Sequence, residues 1–414
     1  MALYGLCGKT LAHSYSKGLH NFLGNPDYEL LSFTKEEFYD FFRLRPFRGV
    51  NVTIPYKKDA LALCDVVAPE AKAIGSVNTV VNRDGVLYGY NTDYFGFSYL
   101  LDRIGIDPCG KKVILLGTGG TSLTAHAVLK DRGAREILTV SRTGTLNYEN
   151  ITAHADAELL INTTPVGMYP NNADRPAIEL SDFPALSGVV DVIYNPLRTR
   201  LVYEASAHGI PAIGGLGMLA AQAVAAHELF FDKPFDDREG VIKACLDDCL
   251  ARVSELIFVG MPGCGKSTMG ALYAKQMERP FYDADEEFTK AFGKTPAEVI
   301  TSCGEKTFRA METKVLEELT KRPGCVLATG GGAVLSPYNR FLLKQNAKVI
   351  YLERPLEELA TEGRPLSGDL ARLKQLYNER DPLYREVADE CLTLEEAKNA
   401  LQIQSTVNKE GILQ

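Results

Sequence analysis

The chain has 414 residues, 45% of them hydrophobic and 24% charged, and a formal net charge of −8. Its length suits two or three globular domains, and the acidic balance argues against nucleic acid as a bulk partner. No apolar run reaches the ~18 residues a membrane-spanning helix needs, MALYGLCGKT lacks the basic flank and apolar stretch of a secretory signal, and nine cysteines without a CxxC pair read as reduced cytoplasmic thiols.

Three polar clusters come first, each in apolar surroundings: HSYSKGLHN at 13–21, GVNVTIPYKK at 49–58, and GSVNTVV with GYNTDYFG between 75 and 96. Their hydroxyls, amides, lysine and aspartate are groups that bind a polyhydroxy acid. The same residue types also favour turns and caps. NTDYFGFSYLLDRIG reads as a helix leading to the strand KVILLG at 112–117. The turn Gly117-Thr118-Gly119-Gly120 then opens a second helix, a dinucleotide signal short of a full GxGxxG. The next strand, EILTV, ends in Ser141-Arg142-Thr143 with no acid to take a ribose 2′-hydroxyl. An arginine there suits a 2′-phosphate, hence NADP, or is a plain surface cation.

These segments resemble shikimate dehydrogenase over about residues 3–235, through NVTIPYK, GSVNT, NTD, INTTPVGM, DVIYNP and GLGMLAAQA in order. The resemblance implies a substrate-binding α/β lobe and a Rossmann-like NADP lobe. It makes Lys57 and Asp93 the catalytic pair, with Ser14, Ser16, Thr53, Asn78 and Gln222 as substrate ligands and Tyr194 beside them. It assigns NADP(H) to Gly117, Gly119, Gly120, Ser141, Arg142, Thr143 and Gly217. Two departures stand out. Lys17 replaces the proline usual after the second serine, and residues 144–160 are too few for the usual helix, strand and helix, so the cofactor lobe is trimmed.

The polar stretch FDKPFDDREG at 231–240 precedes an apolar-periodic helix, VIKACLDDCLARV, and a strand, LIFVG, so a boundary falls between about 235 and 255. Cys245 and Cys249 share one face of that helix as unreactive thiols. Gly260-x4-Gly265-Lys266-Ser267 follows the strand and opens a helix, which is the P-loop pattern. Its glycines let backbone N–H groups converge on phosphate oxygens, Lys266 adds a full charge, and Ser267 offers a hydroxyl to Mg2+. Asp283 and Asp285 sit two apart and would share a face on an extended strand end, one toward Mg2+ and one toward the phosphoryl acceptor. Arg309 and Glu312 fall at i and i+3 on one helix face, where an ordinary surface ion pair is the plain alternative. Gly330-Gly331-Gly332 end an apolar strand where side chains would block a ligand's approach to the backbone. GRPLSGD and ERDPLY carry Arg364 and Arg380. All six histidines precede residue 228, so a general base in this part is a carboxylate or water.

Residues 255–400 resemble shikimate kinase, with GxxGxGKS, DxD, GExxFRxxE, GGG, RPL and ERxPLY in order. The resemblance gives shikimate to Asp285, Arg309, Gly331 and Arg380, with Asp285 also orienting the 3-hydroxyl. It gives Mg-ATP to Gly260, Gly263, Gly265, Lys266, Ser267, Thr268 and Asp283, Ser267 and Asp283 holding the metal, and places Arg364 in a lid over the transferred phosphoryl group. The lid segment before RPL is shorter than the family's usual one.

The fold class expected is α/β throughout. A two-lobed dehydrogenase, with its substrate-binding lobe at 1–100 and a Rossmann-like lobe at 101–245 whose last helix returns to the substrate lobe, precedes a P-loop, nucleoside-monophosphate-kinase-like domain at 253–405. The expected activities are reduction of 3-dehydroshikimate with NADPH and phosphorylation of shikimate with Mg-ATP. Three alternatives stay open: one live and one degenerate site, a sensor that kept both folds, and quinate in place of shikimate.

Overall fold

A computed structural model describes residues 3–11, 14–359 and 370–401. The chain divides into two compact units, Met1–Leu250 and Ala251–Gln414.

The first unit contains two sheets. In the first, strands β1 (Tyr4–Gly8), β2 (Tyr28–Ser32), β3 (Gly49–Val52), β4 (Val66–Val67), β5 (Thr79–Arg83) and β6 (Val86–Tyr90) lie in the order β2-β1-β3-β5-β6-β4. β5 runs antiparallel to both β3 and β6, and the other pairs are parallel. β1 is buried along its whole length, as a central parallel strand must be. A Cβ on Gly8 would stand 2.6 Å from the Thr53 methyl, so glycine here lets the segment after β3 lie against β1.

The second sheet is wholly parallel. Its strands β7 (Lys112–Leu116), β8 (Glu136–Val140), β9 (Leu159–Asn162), β10 (Gly188–Asp191) and β11 (Ala212–Ile213) lie in the order β11-β10-β9-β7-β8. The chain crosses from β8 on one side of β7 to β9 on the other. The ends of β7 and β9 therefore form the switch point at which doubly wound sheets bind ligands. Residues 141–158 make that crossing with a single 3-10 turn, Ile151–His154, and no strand or α-helix, in keeping with the trimmed segment.

The helix Thr92–Ile104 links the last strand of the first sheet to the first strand of the second. Its C-terminal half buries Phe97, Leu100 and Leu101 in the same apolar cluster as Val113, Leu115, Val128 and Leu159. It crosses the helix Leu216–Phe231 closely enough that a Cβ on Gly96 would meet the Met218 carbonyl at 2.6 Å. A lobe boundary at residue 100 thus passes through a continuous helix. The helix Arg238–Val253 runs across the division at Leu250 and buries Ile242, Cys245, Leu246 and Cys249 on one stripe. All nine cysteines lie among the described residues, and none forms a disulfide.

The second unit carries a parallel sheet of β12 (Glu255–Val259), β13 (Phe281–Asp283), β14 (Val326–Ala328), β15 (Ala347–Glu353) and β16 (Glu390–Thr393), in the order β13-β14-β12-β15-β16. β12 is fully buried and runs into the Gly-rich turn and the helix Lys266–Gln276. No helix among the described residues is long and apolar enough to cross a membrane.

Candidate active sites

In the first unit, Lys57 begins the helix Lys57–Leu63 and Asp93 lies in the first turn of Thr92–Ile104. The Lys57 ammonium donates to Asp93 Oδ2 at 2.6 Å, with both residues nearly buried. Asn91 caps the Asp93 helix, accepting from the Tyr94 N–H at 3.1 Å and donating to the Ser76 carbonyl at 2.8 Å. The helix N-terminus is a favourable place for a carboxylate. Asn78 accepts from the Thr92 N–H at 2.7 Å and donates to Thr92 Oγ1 at 3.1 Å, which fixes its amide next to the pair. Behind it, Tyr28 donates to Asn51, and Asn51 donates to Thr79 Oγ1, in a fully buried row. Ser14 donates to Ser16 Oγ at 3.2 Å, and the Tyr15 and Tyr194 rings lie 5.3 Å apart. Burial pushes the Tyr194 phenol pKa up, with Ser14 acting against the shift. Gln222 stands near Gly96 and donates to the Leu219 carbonyl of its own helix at 2.8 Å.

The turn after β7 comes up to this pair. Lys57 also donates to Thr121 Oγ1 at 3.3 Å, and a Cβ on Gly120 would lie 3.2 Å from the Lys57 chain. Gly117 has φ +112, and its Cβ would strike Thr163 Oγ1 at 2.7 Å. A Cβ on Gly119 would meet nothing within 4 Å, and no side chain caps the helix Gly120–Asp131. Free N–H groups beside open backbone fit a dinucleotide pyrophosphate. Arg142 and Thr143 are exposed at the end of β8, and Ser141 is half-buried. Gly217 is buried in the first turn of Leu216–Phe231, where a Cβ would lie 3.3 Å from Leu100. At the end of β10, Asp191 accepts from Asn162 Nδ2, the Ile193 N–H and Thr199 Oγ1, joining the INTTP and YNP loops. Burial raises its pKa to about 6, and these donors oppose the shift.

In the second unit, Gly260, Gly263 and Gly265 all have positive φ. Lys266 folds over the loop they form and donates to the Gly260 and Met261 carbonyls, each at 3.0 Å. No side chain caps its helix at Gly265, and Ser267 and Thr268 are exposed beside it, so the cradle fits a nucleotide's phosphates. Ser267 donates to Asp283 Oδ2 at 2.5 Å, which puts a hydroxyl and a carboxylate together as Mg2+ prefers. Asp283 and Asp285 do not share the face of an extended strand. The strand stops at Asp283, which caps the helix Ala284–Phe292 through the Asp285 N–H, and Asp285 lies exposed in its first turn. The physical reason is the capping tendency of aspartate, which ends the strand one residue early.

Arg309 and Glu312 are not a surface pair. Arg309 donates to Glu312 Oε2 at 2.8 Å, and Glu312 is 4% exposed with its other oxygen unpartnered. Burial pushes the Glu312 carboxyl pKa up, and Arg309 opposes it. The three glycines are needed for the protein's own groups. Cβ atoms would meet Glu312 and Asp285 at Gly330, Pro262 of the P-loop at Gly331, and the Arg309 guanidinium at Gly332. The Gly331 carbonyl accepts from Arg380 at 3.1 Å and from the Tyr384 hydroxyl. Arg380 is 3% exposed and its Nε has no partner. The geometry thus brings Asp285, Arg309, Glu312, Gly331 and Arg380 to one side of the P-loop. Arg364 lies outside the described residues.

The shikimate dehydrogenase substrate-binding-domain model matches residues 6–80. A shikimate dehydrogenase (NADP(+)) of Clostridium perfringens is 38% identical over 251 residues, covering 56% of this chain and 92% of that protein. The chain belongs to the shikimate dehydrogenase family. Other relatives agree: one from Methylobacterium radiotolerans is 38% identical over 253 residues, covering 54% of this chain and 89% of that protein. Among solved structures, shikimate dehydrogenase 1 of Peptoclostridium difficile aligns at TM-score 0.56 and 32% identity, covering 60% of this chain and 97% of its own. The Thermus thermophilus enzyme, solved with NADP(H) and shikimate, aligns at TM-score 0.53 and 33% identity, covering 60% of this chain and all of its own (100%). A chorismate mutase/shikimate 5-dehydrogenase fusion from Clostridium acetobutylicum aligns at TM-score 0.55 and 30% identity, covering 60% of this chain and 96% of its own. The shikimate kinase family model matches residues 262–409. A segment that matches the shikimate kinase family model thus follows the part that aligns with shikimate dehydrogenases.

Sequence reasoning gave no role to Asn91, Thr92, Thr121, Asp191 or Tyr384. Asn91 was findable, since an asparagine directly before a helix is a capping signal. Thr121 and Tyr384 meet their partners only across the fold, as Asp191 meets Asn162.

Proposed function

We propose that the chain is a bifunctional enzyme, reducing 3-dehydroshikimate to shikimate with NADPH and phosphorylating shikimate to shikimate 3-phosphate with Mg-ATP. The observation that carries the reading is the coexistence in one chain of the buried Lys57–Asp93 pair, against the Gly120–Thr121 turn, and the P-loop with its Ser267–Asp283 contact. These chemistries belong to consecutive steps, since the product of the first reaction is the substrate of the second. Its ligands are small molecules, with neither nucleic acid nor membrane as partner, and its cysteines, none in a disulfide among the described residues, suit the cytoplasm.

In the reduction, NADPH when bound supplies the hydride to the ring carbonyl carbon. Lys57 gives a proton to the carbonyl oxygen as it becomes a hydroxyl, and Asp93 aims the ammonium. Proton transfer of this kind contributes ~10²–10⁴-fold. Ser14, Ser16, Thr53, Asn78, Tyr194 and Gln222 hold the ring and its carboxylate. In the phosphorylation, ATP when bound supplies the phosphoryl group. Lys266 turns from the Gly260 and Met261 carbonyls to phosphate oxygens, Ser267 and Asp283 hold Mg2+, and Arg309 and Arg380 hold the shikimate carboxylate. Asp285 takes the proton of the 3-hydroxyl, and Arg364 closes over the transferred group.

Two assays on the purified chain test this: NADPH oxidation with 3-dehydroshikimate, and ADP formation with shikimate. Both activities are expected. Absence of either one reduces the reading to a single live site, and faster turnover of quinate would reassign the substrate.

A further inference from the structure

The loop that replaces the missing crossover is closed by its own side chains. Asn150 Oδ1 accepts from the Asn147 N–H at 2.9 Å, and Asn150 Nδ2 donates to the Thr145 carbonyl at 2.8 Å. Asn147 Oδ1 in turn accepts from the Glu149 N–H at 2.9 Å, and the Ser141 N–H donates to the Leu146 carbonyl at 3.3 Å. The loop thus returns to its own start. A Cβ on Gly144 would stand 2.6 Å from Ser141 Oγ, so glycine lets the turn fold back over the serine. Underneath, Ile151 is buried in the core, and Leu146 and Tyr148 pack against the same cluster. Burial pushes the Tyr148 phenol pKa up, and the Arg142 charge acts against it.

The closed loop bears on cofactor choice. In a doubly wound sheet the residues after the second strand meet the ribose, and the elements that follow hold them in place. Here no strand or α-helix follows within residues 141–158. Only the loop's internal bonds and its three anchors keep Ser141, Arg142 and Thr143 in one arrangement. A flexible arginine would spend part of its binding energy on becoming ordered, whereas a held one would not.

We infer that Asn150 is a specificity-determining positioning residue, which closes the 141–150 loop so that Arg142 and its neighbours stand ready for the 2′-phosphate of NADPH. It touches no reacting atom. The inference rests on the assignment of the 2′-phosphate to Ser141, Arg142 and Thr143, and adds the residue that makes them effective in the absence of a crossover.

The test is steady-state kinetics of the full chain with NADPH and with NADH, for the parent, Arg142→Ala, Asn150→Ala, Asn150→Asp and the double alanine variant. Asn150→Ala is expected to lower the ratio of kcat/KM for NADPH over NADH by about five- to tenfold through the KM for NADPH. The NADH constants and kcat should stay near the parent values. With Arg142 already alanine, the Asn150 change should move the ratio no further. Asn150→Asp keeps the acceptor for Asn147 and loses the donor to Thr145, so it should fall between parent and alanine, and it serves if the alanine variant does not fold. The melting temperature of the Met1–Leu250 unit in the same samples reports whether that unit is intact. If Arg142→Ala leaves the ratio unchanged, the 2′-phosphate assignment fails. If Arg142→Ala lowers the ratio and both Asn150 variants do not, or if NADPH and NADH suffer equally, the inference about Asn150 is overturned while the assignment stands.

Discussion

Lys57 and Asp93 are 36 residues apart in sequence, yet Lys57 Nζ stands 2.6 Å from Asp93 Oδ2. One begins a helix after β3, and the other begins a helix after β6. Each has its backbone set by a turn of its own, so the pair is fixed by two rigid starts rather than by flexible side chains. Lys57→Ala should therefore lower reduction of 3-dehydroshikimate by ~10²–10⁴-fold. Phosphorylation of shikimate by the same sample should stay near normal, because the kinase residues fold in a separate unit. Paired assays check this, and loss of both activities would contradict it.

Asp283 serves three neighbours, accepting from Ser267 and from the Asp285 and Glu286 N–H groups. Asp283→Asn keeps the helix cap and removes the negative charge. The Mg2+ concentration giving half-maximal kinase rate should rise about tenfold or more, while the dehydrogenase is unaffected. A magnesium titration of the kinase rate decides it; an unchanged midpoint would remove Asp283 from the metal's ligands.

Glu312 is buried against Arg309 and faces Asp285 across Gly330. Removing one member of a buried ion pair typically costs about 3–5 kcal/mol where it strands the other; Arg309 keeps Glu305 at 2.9 Å, so the loss here falls below that and bears on how the guanidinium is aimed. Glu312→Leu should raise the KM for shikimate more than that for ATP, because Arg309 loses the group that aims it. Equal rises in both constants, or none, would assign Glu312 to packing alone.

Glu255 opens β12 in a fully buried position. Burial pushes its carboxyl pKa well above the usual range, with the Asn346 amide acting against it. The folded form thus binds this proton more tightly than the unfolded one. The stability this supplies is complete below the unfolded pKa of about 4.3 and is lost as pH rises toward the folded value. Glu255→Gln should raise the melting temperature of the kinase unit at pH 7.5 and by less at pH 5. The expected gain is about 2–4 °C for each 1 kcal/mol recovered. Calorimetry at both pH values checks it, and an equal gain at both would mean that the charge is not the cause.

Much of this molecule was readable before any coordinates. The P-loop, the GTGG turn and the NVTIPYK segment record demands made by neighbouring residues on one another: positive φ at Gly260 and Gly117, a free helix start, a lysine at its edge. Such demands are local, so they survive in the order of residues. The shortness of residues 144–160 was also plain, since a strand and two helices need more chain than that.

Tertiary structure decided what depends on distant partners. The sequence leaves a surface ion pair open for Glu312, and only its packing beside Gly330 and Asp285 shows it buried. Asp191 gave no signal, because its three donors come from Asn162, Ile193 and Thr199 across two loops. The helix Thr92–Ile104 read as an ordinary amphipathic segment, yet it places Asp93 in one lobe and Leu100 in the core of the other. Burial and pairing at this range are set by how elements stack, and stacking is a property of the whole chain that no single stretch of sequence carries.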